Sequence, residues 1–184
     1  MVNYKVKFWD MILPRVQKPT RYLGNEVNAV VKEHSRCSVK VALAFPDLYE
    51  VGMSHLGLKI LYSLINNHEQ WVAERVFMPD TDLEAILRNE AFPLCSLETV
   101  TPLADFDLLG FTLQYELSYA TILQMLRLGG ISLLALSRGE QEPLVVGGGP
   151  GAFNPEPLAD FFDFFILGDA EETLPQVLFF LERN

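Results

Sequence analysis

Several common sequence signals are missing from this chain, and each absence argues against a class of protein. No apolar run approaches the roughly 20 residues that a membrane-spanning helix needs. The opening MVNYKVKFWD contains no apolar segment of a signal peptide. Cys37 and Cys95 lie far apart and form no metal-binding spacing. We therefore expect a cytoplasmic protein with reduced thiols, no metal site and no membrane partner.

Motifs for phosphate and acyl chemistry are also missing. The glycines show neither the G-x-G-x-x-G spacing of a dinucleotide site nor the G-K-S/T of a P-loop. No G-x-S-x-G elbow offers a nucleophile. Acid/base work would have to come from a carboxylate pair among Glu50, Glu116 and Glu156. We therefore predict no catalytic residues for the chain alone.

Basic residues are scarce and concentrated at the start of the chain. The net charge is −10. Residues 1–40 hold eight Lys and Arg against three Asp and Glu, whereas residues 41–184 hold six against twenty-one. An acidic body repels a phosphate backbone, so nucleic-acid binding by the main domain is not expected. The basic segment either packs on the acidic domain, which we favour, or contacts an acidic partner or RNA.

Short apolar runs alternate with stretches of helical periodicity along most of the chain. Such strands are too apolar to face water, which indicates a parallel sheet covered on both sides. The pattern predicts an α/β, flavodoxin-like, doubly wound fold of about five strands over residues 38–184. An N-terminal arm, residues 1–37, precedes this domain. The predicted strands are residues 39–45, 72–78, 106–113, 144–146 and 161–167. Of these, residues 39–45, 108–113, 144–146 and 164–167 are predicted to form the central parallel strands.

Several finer expectations follow from local signals. The arm should contain one short helix, with residues 22–32 as its most ordered part, and Ser54 is a candidate N-cap of the first long helix. Residues 94–97 are a candidate short edge strand, and residues 131–136 are a strand or the approach to one. His34 and His68 lie in polar surroundings and are interpreted as solvated surface residues.

The glycine-rich stretch LVVGGGPGAF, from Leu144 to Phe153, is the strongest candidate for a ligand site. Glycine lets the backbone turn sharply and lets a ligand come close. In open α/β sheets, ligands bind beyond the carboxyl ends of the strands. The alternative is a tight strand exit with no ligand. His55 either reaches the same edge or bonds the local backbone at the start of a helix.

Ordered motifs along nearly the whole chain resemble one protein group. They are RYLGNEVN, FPDLYEVGMSHLGLKILY, AERVFMPD, GFTLQYELSYATIL, VVGGGPGAFNPEPLADFFD and ILGDAEE. The chain is similar to radical SAM proteins that begin with a cobalamin (B12)-binding-like domain. The resemblance implies a partner barrel, in the same or a separate chain, whose Cys-x-x-x-Cys-x-x-Cys motif binds a [4Fe-4S] cluster and S-adenosylmethionine. That barrel is not expected within these 184 residues.

The resemblance also implies cofactor-binding positions. They are His55, Gly57, Thr112, Gly147, Gly148, Gly149 and Gly168. The wider superfamily has D-x-H-x-x-G after the first strand and a cobalt-binding histidine, whereas this chain reads Met53-Ser54-His55-Leu56-Gly57. If cobalamin binds, cobalt without a histidine ligand is expected, with the nucleotide tail near the glycine-rich exit.

Three functions therefore remain open. The first is a cofactor-binding or substrate-presenting domain of a radical SAM iron–sulfur protein, without catalysis of its own. The second is a degenerate cobalamin fold that serves as a protein docking module. The third, an independent hydrolase or transferase that uses the carboxylates, has the least support.

Overall fold

The computed structural model describes residues 3–183 and contains five parallel strands in the order β2-β1-β3-β4-β5. The strands are β1 (Val39–Phe45), β2 (Trp71–Phe77), β3 (Leu108–Thr112), β4 (Leu144–Gly148) and β5 (Phe164–Ile166). The helices are α1 (Tyr4–Lys7), α2 (Tyr49–Gly52), α3 (Leu56–Asn66), α4 (Thr81–Asn89), α5 (Tyr119–Leu128) and α6 (Ala170–Arg183).

Helices cover both faces of the sheet, because alternate side chains of each strand point to opposite sides. Leu58 of α3 and Leu174 of α6 pack on one face, which we call the α3/α6 face, against Leu43, Leu108 and Val146. The other face packs against α4, α5 and the N-terminal arm. The predicted flavodoxin-like doubly wound fold is thus confirmed.

The strand order places a topological switch point between β1 and β3, where the crossover connections change direction. Leu108 pairs with Val41 on one side and with Leu144 on the other, and all these pairings are parallel. The carboxyl ends of β1, β3, β4 and β5 consequently meet along one edge of the sheet. Ligands of this fold class bind at such an edge.

The strand predictions are confirmed in position, with three differences. The fifth strand is parallel as expected but lies at the edge of the sheet rather than in its centre. Residues 94–97 form no strand and contribute one antiparallel bridge, Cys95 to Pro102. Residues 131–136 form no strand either, because the Arg138 guanidinium takes the carbonyls of Ser132 and Leu133.

The N-terminal arm lies against the body of the domain. Phe8, Ile12 and Leu13 are buried, whereas Trp9 stays partly exposed. The helical part of the arm lies in α1 and the following π-helical turn Phe8–Ile12, not in residues 22–32, where the prediction had placed the ordered part. Burial of these apolar side chains therefore stabilises the contact between the arm and the domain.

Charged contacts hold the rest of the arm. Arg21 donates to Glu50 and Asp80. His34 lies 2.6 Å from the carboxylate of Glu74, whose side chain is buried, so the prediction of a solvated His34 is wrong. Burial acts to raise the pKa of Glu74, but hydrogen bonds from His34 and nearby hydroxyls outweigh it, and the pKa lies below its usual value.

Side chains and a loop occupy the outer edge of β2. The side-chain amide of Asn66 donates to the carbonyl of Ala73 and accepts from its N–H, as a peptide group of a neighbouring strand would. The N–H of Arg75 donates to the Glu98 carboxylate, and its carbonyl accepts from Leu97 N–H. Edge groups that water or another strand would otherwise take are therefore bonded within the domain.

Candidate functional site

A groove of about 370 Å³ opens on the α3/α6 face at the carboxyl edge of the sheet. Leu61 of α3 and Leu174 of α6 form its walls. Its floor consists of residues from four strands: Leu43, Leu108, Gly110, Val146, Gly148 and Ile166. The shape follows from the packing, because α3 packs mainly on β2 and α6 contacts β1 and β5, which leaves β3 and β4 uncovered near their carboxyl ends.

Two glycines keep the floor of the groove open. A Cβ on Gly148 would meet only the Ile166 carbonyl oxygen, 3.9 Å away. A Cβ on Gly110 would meet Leu108 and Leu43 at ordinary contact distances. Any larger side chain at either position would extend into the groove. An apolar cavity whose floor is left without side chains at these two positions suits a flat ring system.

Gly147 differs from the other predicted cofactor positions. His55, Gly57, Thr112, Gly148, Gly149 and Gly168 line the groove, whereas Gly147 does not. A Cβ on Gly147 would lie 2.8 Å from the ring of Phe165 and 2.9 Å from Leu113, on the opposite face of the sheet. Gly147 therefore allows close packing in the core.

His55 forms the N-cap of α3, a role that the sequence had suggested for Ser54. The His55 Nδ1 atom accepts a hydrogen bond of 3.1 Å from the N–H of Leu58. Gly57 makes room for this ring, since a Cβ there would lie 3.0 Å from the imidazole Cε1. Because Nδ1 accepts, the neutral ring carries its proton on Nε2 and offers no lone pair there to a metal.

Replacing His55 with alanine should remove the cap and lower the free energy of unfolding by about 1 kcal/mol. Asparagine is a good N-cap, so His55→Asn should retain most of the lost stability. Urea denaturation of the three proteins measures both effects. Equal losses in the two variants would show that the ring does not act as the cap.

Polar groups collect at the mouth of the groove. Thr112 and Gln114 follow β3, and Asp169 and Glu171 follow β5. Gly149 and Gly168 have φ angles of 94° and 85°, which favour glycine, so both loops turn sharply away from the strand ends. The mouth thus combines hydrogen-bonding groups with two carboxylates, and its described lining contains no Lys or Arg.

The three candidate acid/base residues do not line this groove. Glu50 is in an ion pair with Arg21, whose hydrogen bond lowers the pKa of that carboxyl. Glu116 and Glu156 are exposed on loops after β3 and β4. The geometry therefore gives no support to a hydrolase or transferase built on these carboxylates.

Two groups of groove residues were missed from the sequence. The apolar walls and floor could not be assigned without knowing which residues share a face. Gly110 could have been predicted from the sequence, because a glycine inside an otherwise apolar strand often marks the close approach of a ligand or another backbone. Gln114 follows β3 directly and lines the groove, but it was not among the predicted cofactor-binding residues.

Other predictions concern residues outside the groove. His68 stacks on Trp71, with ring centroids 3.8 Å apart, so the prediction that it is solvated is wrong. Cys37 and Cys95 are both free thiols. Within residues 3–183, no helix combines the length and the apolar character that crossing a membrane requires.

Comparison with known proteins places the chain in a family. Residues 57–184 match the family model described as radical SAM proteins, N-terminal. The chain is also 25% identical over 132 residues to the uncharacterized protein MJ0966 of Methanocaldococcus jannaschii, an alignment that covers 71% of this chain and 24% of that protein. The matched segment thus spans about a quarter of that relative. Because the family model covers well over half of the sequence, the chain belongs to the family of N-terminal domains of radical SAM proteins.

Proposed function

We propose that this domain binds a cobalamin-type cofactor in the groove on behalf of a radical SAM protein and does not catalyse a reaction alone. The observation that carries the proposal is the groove itself. It lies at the carboxyl edge of a doubly wound sheet, and Gly110 and Gly148 leave two positions of its apolar floor without side chains. Cobalamin, when bound, supplies a corrin-held cobalt that supports radical chemistry.

The residues present fit such a group. Leu43, Leu61 and Leu174 give apolar surface for a flat heterocycle, and Gly148 leaves the space that the ring would fill. The Thr112 hydroxyl has no hydrogen-bond partner within residues 3–183 and is available to a ring nitrogen. We assign the nucleotide tail to this groove and the corrin to its mouth.

His55 would hold the position of the loop rather than the cobalt. Its Nδ1 atom is used as the cap of α3, and its Nε2 atom carries the proton. Binding cobalt through Nε2 would require the other tautomer and would leave the Leu58 N–H without its partner. The expected cofactor state therefore has no bond between cobalt and His55.

Titration of the 184-residue chain with hydroxocobalamin, followed by its visible spectrum, tests the proposal. We expect saturable spectral changes at micromolar concentrations, retained in His55→Asn, which keeps the cap without an imidazole. A wild-type spectrum unchanged at high micromolar cofactor would refute the proposal. Binding that is lost in His55→Asn would instead show that cobalt takes the imidazole as a ligand.

A docking module is the second candidate, and a different observation favours it. Segments that follow the strands at the carboxyl edge carry large, well-exposed apolar side chains: Leu56, Leu117, Phe153 and Leu167. Apolar side chains gathered around a groove are typical of a surface that another protein covers. A domain that binds no corrinoid but associates with the catalytic domain of a family member would support this function.

A further inference from the structure

The side-chain amide of Gln114 is a second recognition element at the groove. Gln114 follows β3 directly, is half-buried and lines the mouth. Its Nε2 atom lies 3.4 Å from the position that a Cβ on Gly149 would occupy. The side chain thus lies close to the Gly149 loop, where the φ of 94° favours glycine.

Gln114 has unused hydrogen-bonding capacity. Within residues 3–183 its side-chain amide makes no hydrogen bond to the protein. A primary amide offers two N–H donors and a carbonyl acceptor in one plane. A ligand group with the same pattern, another primary amide, would satisfy both functions through a reciprocal pair of hydrogen bonds.

The charges at the mouth disfavour an anionic ligand group placed directly beside Gln114. Asp169 and Glu171 share the mouth with it, and the described residues that line the groove include no Lys or Arg. Both carboxylates belong to exposed residues, and with no compensating cation among the described lining residues they repel a further negative charge placed close to them. An amide on the ligand is therefore accepted, whereas a carboxylate at the same place is disfavoured.

We propose that Gln114 is a specificity-determining residue that pairs with a neutral primary amide of the bound ligand and that the two carboxylates at the same mouth disfavour the corresponding acid. This inference rests on the proposed function, since the corrin of cobalamin carries primary amides on its periphery. The domain would thereby distinguish a fully amidated corrinoid from one in which a single amide has been hydrolysed.

The test compares hydroxocobalamin with its singly hydrolysed derivatives, each of which has one propionamide replaced by propionate. We expect at least one derivative to bind wild-type protein about tenfold more weakly than hydroxocobalamin does. The affected derivative is the one that lacks the amide paired with Gln114. Gln114→Leu should weaken hydroxocobalamin binding about five- to tenfold. Glu171→Gln should narrow the gap between that derivative and the parent.

Gln141→Leu is the matched control, since Gln141 is an exposed glutamine at the opposite edge of the sheet. Unchanged binding in this variant and unchanged thermal unfolding of Gln114→Leu would tie the effect to the groove. Suppose that hydroxocobalamin binds, that Gln114→Leu binds it as tightly as the wild type does, and that the wild type binds every derivative as tightly as hydroxocobalamin. The amide proposal is then wrong, and cobalamin binding stands. If no corrinoid binds, both proposals fail together.

Discussion

Gly148→Leu is expected to abolish cobalamin binding and to leave the domain folded. A Cβ at this position would have its nearest contact at 3.9 Å, an ordinary contact distance, so the first atom of the new side chain fits without a clash. The remaining side-chain atoms would occupy the volume assigned to the nucleotide tail. We expect at least a 100-fold loss of affinity, about 2.7 kcal/mol, in the hydroxocobalamin titration.

Two further variants make this result specific. Gly139→Leu places the same side chain in open space near the opposite edge of the sheet and should bind normally. Gly147→Leu should instead destabilise the fold, because its Cβ would overlap Phe165 and Leu113. Normal cofactor binding by a folded Gly148→Leu protein would show that the ligand lies elsewhere.

Arg75→Met should cause the largest loss of stability among the variants considered. Arg75 donates 2.6 Å to Glu98 and 2.7 Å to Glu26, and the side chains of Arg75 and Glu98 are only 6% and 0% exposed. Removing the guanidinium leaves Glu98 buried without its cation. A loss of about 3–5 kcal/mol is expected for breaking a buried pair in this way. Denaturant unfolding at pH 8 measures it.

The double variant Arg75→Met/Glu98→Gln is the control. Glutamine keeps an acceptor for the backbone N–H of residue 75 and removes the buried charge. Much of the lost stability should therefore return. If the double variant is no more stable than Arg75→Met, packing rather than charge accounts for the loss.

The same pair predicts a dependence on pH. Burial raises the pKa of Glu98 to about 7, against the opposing effect of Arg75. A carboxyl group whose pKa rises on folding binds more protons in the folded state. Its contribution to stability is therefore present below the unfolded value of about 4.5 and is lost as pH rises through the folded value. Without Arg75 this loss between pH 5 and pH 8 should be larger than in the wild type.

The strands could be predicted because their apolar character is a local property. Residues 39–45 are apolar and β-rich, and they end at Pro46. Strand β4 was predicted to end at Val146, because glycine is generally unfavourable inside strands. In the structure it continues to Gly148. Glycine is tolerated here because Phe165 and Leu113 pack tightly over Gly147.

That two-residue extension explains why the site was only partly predicted. Inside a strand, Gly147 and Gly148 face opposite sides of the sheet. Viewed as a loop after the strand, the three glycines were equivalent, and nothing distinguished a packing glycine from one that lines a groove. Knowing the strand end would have separated them.

Interactions between distant parts of the chain explain the remaining differences. His34 meets Glu74, 40 residues away, only because the arm crosses β2. The cap of α3 was assigned to Ser54 because hydroxyl groups are common caps, whereas the imidazole of His55 takes that role through its ring nitrogen. Neither partner can be inferred from local sequence.

The bonded outer edge of β2 has a consequence for solubility. A seven-residue edge strand without proline is a template on which a strand of another molecule can add. Asn66, Glu98 and Leu97 already occupy the outward backbone groups of Ala73 and Arg75. Growth of the sheet by a foreign strand at β2 would first have to displace these groups, so this edge is protected against self-association and amyloid-like aggregation.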